Sequence, residues 1–106
     1  MSNDTSDAFK LFLSSAPAHA QAWLGGVRGL GAASALDPKT SALAYLAVLA
    51  AMRLESGIPF HVAQAKAAGA TREEVLSAIL IGLPAAGNTV IGALPAALEA
   101  FDHSSS

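Results

Sequence analysis

From Val75 to Leu98 the chain carries no charged residue. A run like this is costly to leave in water, so the fold has to bury most of it or place it in a bilayer. It is long enough to cross one. However, Pro84, Gly87, Asn88 and Pro95 interrupt it, and no cluster of Lys or Arg flanks it. Two packed helices buried between subunits are the expected outcome, and no membrane partner is expected.

Composition points the same way. Of 106 residues, 53% are hydrophobic and 13% are charged, against averages of roughly 45–50% and 25%. The length fits one domain, read here as 1–106. Such a chain buries only about two-thirds of its extended surface. The remaining surface is too apolar for a lone sphere, and self-association is the simplest remedy. A net charge of −2 argues against nucleic acid, which needs a basic stripe. The absence of cysteine excludes a disulfide scaffold, a thiolate nucleophile and a thiolate metal site. Met1 to Asp7 lacks a basic stretch before an apolar run, so no leader is expected and the expected compartment is the cytoplasm.

Helical signals run throughout, and alternating strand patterns are missing. A first helix starts near Asp4 with Phe9, Phe12 and Leu13. A second starts near Pro17 with Trp23, Leu24 and Val27, and Gly29, Gly31 and Ser34 form a loop. Asp37-Pro38 is a strong helix start: the carboxylate caps free amides, and proline there loses no hydrogen bond. Leu43, Leu46, Ala50 and Leu54 then share one face, and this helix should end near Ser56-Gly57. The next begins around Ile58-Pro59. Thr71-Arg72-Glu73-Glu74 is a capping box, and the helix it opens breaks near Pro84. A last helix runs roughly from Gly87 to Phe101, and His103-Ser104-Ser105-Ser106 reads as a frayed tail.

His61 is the main candidate for chemistry. In the first turns of a helix the backbone dipole disfavours the imidazolium, and a neutral imidazole can act as a general base. The competing reading is a histidine that is merely hydrogen-bonded. Arg53 can hold an anionic group or serve as plain surface. Ser56 lacks an orienting acid and an oxyanion donor, so a helix cap is its expected role. Lys66 faces another side of the helix from His61, and nothing in the sequence marks it as desolvated. His19, His61 and His103 form no i, i+4 pair, so no metal site is expected within one subunit. The glycines from Gly25 to Gly31 follow a helical pattern rather than a strand, which removes the context of a dinucleotide loop.

Three segments together resemble a known family. Leu36-Asp37-Pro38-Lys39-Thr40 is one. Arg53-Leu54-Glu55-Ser56-Gly57-Ile58-Pro59-Phe60-His61 is the second, and Gly69-Ala70-Thr71-Arg72-Glu73-Glu74 the third. In order and separation they resemble the AhpD-like and carboxymuconolactone decarboxylase superfamily, whose redox members read Cys-x-x-Cys-x-x-x-His. Here the cysteine positions fall on Leu54 and Gly57, and the position of the relay glutamate falls on Ala42. Of that redox set only His61 remains. The resemblance implies an all-α domain of about six helices, oligomeric as a trimer or hexamer, with its central pair around 38–54 and 58–69 and its pockets near their junction. It also implies a role for Glu55, a position often acidic in the decarboxylase branch, although a solvated glutamate near Arg53 is the plainer alternative.

Thiol peroxidase chemistry needs a cysteine to oxidise, so a peroxidase label attached through the fold would not describe this chain. Two readings stay open. One is a cofactor-free lyase or proton-transfer enzyme acting on a small organic acid or lactone, with His61 and Glu55 catalytic and Arg53, Leu54 and Phe60 lining an apolar substrate site. The other is a non-catalytic oligomer that binds a small apolar ligand or supports an assembly. Neither names a substrate.

Overall fold

The computed structural model describes residues 6–104. Among them every regular element is helical, so the fold is all-α. The chain divides into two compact units at the Leu36–Asp37 junction.

The first unit is a helical hairpin of α1 (Asp7–Ser15) and α2 (Pro17–Ala33). The expected start near Asp4 lies outside the described residues. Within them, Ser6 caps α1 by accepting the Phe9 amide at 3.2 Å, and the Phe9 and Phe12 rings meet at 5.9 Å. Pro17 opens the second helix as expected. The expected loop at Gly29 and Gly31 is instead helix through Ala33. A helical glycine costs about 1 kcal/mol relative to alanine, which weakens a helix without ending it. The chain leaves the helix at Ser34, whose hydroxyl accepts the Leu36 amide at 3.1 Å.

The second unit holds α3 (Pro38–Ala51), α4 (Ile58–Ala67), α5 (Arg72–Leu80), α6 (Leu83–Ala86) and α7 (Leu94–His103). Single 3-10 segments cover Glu55–Gly57 and Gly87–Ala93. Helix α3 packs on α4 and α5, and α7 packs on the same two, so four helices close a ring. Leu46, Ile58, Val62, Val75, Ile79 and Val90 fill it, all fully buried. The 3-10 segment Gly87–Ala93 touches α3, α5 and α7 and contributes Val90 and Ala93 to the same core.

Helix starts match the sequence closely. Asp37 accepts the Thr40 amide at 2.7 Å. Thr71 and Glu74 satisfy each other's amides at 3.1 and 2.9 Å. The second Glu74 oxygen accepts from Lys39 at 3.0 Å, tying the start of α5 to that of α3. Backbone hydrogen bonding from Thr71, then the Lys39 contact, lowers the Glu74 pKa.

Helix ends differ. Helix α3 stops at Ala51, short of Ser56-Gly57. Arg53 adopts φ 61°, its amide donates to the Ala50 carbonyl at 3.3 Å, and the Leu54 amide donates to that of Leu49 at 2.9 Å. That is a Schellman ending with an arginine where glycine is usual. The same motif closes α4, where Gly69 supplies the positive φ. The expected helix from Gly87 is a 3-10 segment up to Ala93. Pro95 sits in the first turn of α7, where its ring would clash with the carbonyl four residues back in a continuous α-helix.

The apolar run behaves accordingly. By length and composition alone Arg72–His103 could cross a membrane, with mean hydropathy 1.7. The chain divides it into four segments, with Gly87 at φ 63°. Of the expected frayed tail, His103 and Ser104 are held in place. His103 ends α7, and Lys66 Nζ donates to the Phe101 carbonyl at 2.7 Å and the Ser104 carbonyl at 3.0 Å. The same ammonium lies 4.6 Å from the Phe101 ring centre. Arg72 grips Asp102 with two bonds of 2.9 and 3.2 Å. Ser105 and Ser106 lie outside the described residues.

Lys66 is thus a cap for the end of α7. Lys66→Met keeps the stem against Phe101 and removes the charge-assisted bonds, and should cost about 1–2 kcal/mol. Thermal denaturation followed by circular dichroism reads this as a lower midpoint. An unchanged midpoint would show that the cap contributes nothing.

Candidate functional site

Helix α4 sets the position of His61. Ile58, Val62 and Ala65 are buried, which fixes the core-facing side of the helix. His61 is one residue off that line, about 100° around the helix, and falls on the rim, half-buried. It closes the first turn of α4, where the dipole favours a neutral ring.

Two other rings meet it there. The Tyr45 ring, from α3, lies 4.5 Å away between centres and tilted by 48°. The Phe60 ring makes an edge contact at 5.1 Å and 88°. Tyr45 and Phe60 are themselves 46% and 41% exposed, so the cluster opens outward. Val48, exposed on the same helix as Tyr45, and Met52, exposed at its C-cap, follow it at spacings of three and seven and continue this apolar face.

Burial lowers the His61 pKa below 6.5, and the neighbouring Gln64 side chain opposes the shift. No charged side chain contributes to it. The imidazole is therefore neutral near pH 7, the form that accepts a proton.

The other candidates are arranged differently around it. Phe60 is beside His61. Leu54 is 47% exposed and ends the α3 cap. Arg53 is exposed, in the left-handed conformation that costs a non-glycine residue about 1–2 kcal/mol. Glu55 begins the 3-10 turn and points to the Gly87–Ala93 segment, where a Cβ added at Gly92 would lie 3.4 Å from its Oε2. No hydrogen bond or ion pair joins it to His61 or Arg53. Ser56 is exposed and supplies no side-chain cap to α4, contrary to expectation. Ala42 is half-buried against the core.

Sequence reading missed Tyr45. It precedes His61 by sixteen positions and belongs to no motif. Only its place on the α3 face toward α4 brings the two together.

A separate open groove of about 550 Å³ lies between α3 and α5. Leu43, Ala47, Ala78 and Ile81 form much of its wall, with Glu73 and Ser77 also lining it. His61 is not part of that lining. Among the described residues no group of three His, Asp or Glu side chains is placed to hold a metal ion.

The family model described as the carboxymuconolactone decarboxylase family matches residues 17–101. No curated protein and no solved structure matches the chain.

The burial of His61 has a measurable sign. Its folded pKa is below its unfolded value, so the unfolded chain binds the proton more readily between the two. The stability linked to His61 is complete above about pH 6.5 and is lost as pH falls through that value toward the folded pKa. Proton NMR titration of the native chain, with the His61 signals assigned by their absence in His61→Gln, should give a midpoint below 6.5. A midpoint at or above 6.5 would contradict the burial argument.

Proposed function

The chain belongs to the carboxymuconolactone decarboxylase family, and from that premise we propose that it is a cofactor-free proton-transfer enzyme, a lyase acting on a small organic acid or lactone. One observation carries this reading: a half-buried imidazole, kept neutral by burial, meets two aromatic rings on an apolar face that opens outward. His61 would take a proton from carbon next to a carbonyl, or take the carboxyl proton of the acid and return it to carbon after carbon dioxide has left. Apolar surroundings strengthen such a step because they exclude competing water. Arg53 could hold the anionic group of the acid, with Leu54 and Phe60 along its apolar part. Glu55 has the weakest support as a partner, since its carboxylate is directed to Gly92. Thiol redox chemistry is outside the reading because the chain has no thiol.

The second reading, a non-catalytic protein that binds a small apolar ligand, draws on the groove between α3 and α5. It does not need His61. Either reading is framed for a homo-oligomer, a trimer or hexamer. Trp23, Val27 and Leu30 form an exposed apolar stripe on α2, and exposed stripes of this kind mark contact surfaces.

The first reading predicts hydrogen–deuterium exchange in D₂O at acidic C–H positions of a panel of small lactone and keto acids, read by proton NMR. His61→Ala should lower that exchange by 100-fold or more, within the usual 10²–10⁴ of general base catalysis. Exchange that survives His61→Ala would refute the assignment. Ligand binding blocked by Ala47→Trp, with no exchange in the native chain, would favour the groove instead.

Light scattering should return a mass of three or six chains. A monomer mass across micromolar concentrations would refute the oligomer.

A further inference from the structure

The contact between α3 and α4 assigns a role to a side chain that belongs to none of the motifs. Phe60 adjoins His61 in sequence, so its edge contact follows from local helix geometry. Tyr45 is different. It reaches His61 from another helix, and its ring centre is the nearer of the two, at 4.5 Å against 5.1 Å. Helix α3 is fixed against α4 by buried Leu46, Leu49 and Ala50. The Tyr45 ring is therefore carried by a rigid neighbour and not by a loop. A ring held in this way leaves the imidazole few rotamers.

We propose that Tyr45 is the positioning residue of His61: packed across the α3–α4 interface, its ring fixes which way the imidazole edge faces and covers one side of it from water. The catalytic part rests on the proton-transfer reading above, while the packing part does not. The flat ring carries the effect, so a phenylalanine should serve as well.

No charged side chain competes with Tyr45 for this role. On α4, Gln64 is the polar side chain that acts on the imidazole, while Lys66 is engaged with the Phe101 and Ser104 carbonyls. In the 3-10 turn, Glu55 is directed to Gly92. On α7, Asp102 is held by Arg72, and Glu99 lies by His103. At the end of α3, Arg53 is exposed. None of these charges acts on the imidazole, so apart from Gln64 its surroundings are set by packing. Tyr45 is the part of that packing contributed by a second helix.

Proton NMR titration of His61 in native protein, Tyr45→Phe and Tyr45→Ala tests the proposal. The Phe variant should titrate with the native protein. The Ala variant should shift upward toward the ordinary histidine value, with unchanged helical circular dichroism. A second readout does not depend on the Ala variant folding. The His61 ring protons should show a ring-current shift in the native and Phe proteins that falls in Tyr45→Leu to the part supplied by Phe60. If C–H exchange is found, its pH profile should move with the His61 titration in Tyr45→Ala and stay native in Tyr45→Phe. An Ala variant that folds and titrates as native, or a Phe variant that shifts as far as Ala, would overturn the role. So would equal ring-proton shifts in native and Leu proteins. Because the titration and ring shifts need no substrate, they fail or hold separately from the enzymatic reading.

Discussion

The buried seam of Leu46, Ile58, Val62, Val75, Ile79 and Ala97 is the contact on which the second unit depends. It closes α3, α4, α7 and α5 into a ring, and it also decides what is left outside. With Ile58, Val62 and Ala65 turned inward, Phe60 and His61 can only lie on the flank. With Leu46 and Leu49 turned inward, Tyr45 and Val48 lie on the flank of α3. The aromatic cluster around His61 follows from core packing and needs no polar interaction to assemble it.

Charged side chains in this unit work mainly at helix ends. Glu74 caps its own helix and holds Lys39. Lys66 and Arg72 both hold the end of α7. Few charges therefore remain to cover the helix faces. Helix α3 shows the result: it has no charged residue after Lys39, yet Tyr45 and Val48 are exposed. A helix that is apolar on every side is normally buried on every side.

Legibility in the sequence followed the physics of each feature. Helix starts were readable because a cap is a local matter: Asp37 with Thr40, and Thr71 with Glu74, need only side chains three residues apart. The end of α3 was not readable, because arginine rather than glycine takes the left-handed position and no residue preference announces it. Gly29 and Gly31 misled in the other direction, since glycine weakens a helix but does not forbid it. His61 could be found from the family pattern, and its place in the first turn of α4 from Pro59. Tyr45 could not, because contacts between helices leave no fixed spacing in the chain. Glu55 was placed by sequence near His61, but the 3-10 turn directs it to Gly92.

One consequence is spectroscopic. Trp23 is the only tryptophan in the chain and Tyr45 the only tyrosine. They fall in different units, one on α2 and one against His61. The protein therefore carries two natural chromophores of distinct wavelength, each attached to a different part of its architecture. Light at the long-wavelength edge that only tryptophan absorbs reports on the hairpin alone, and tyrosine-specific signals come from the face of α3 beside the imidazole.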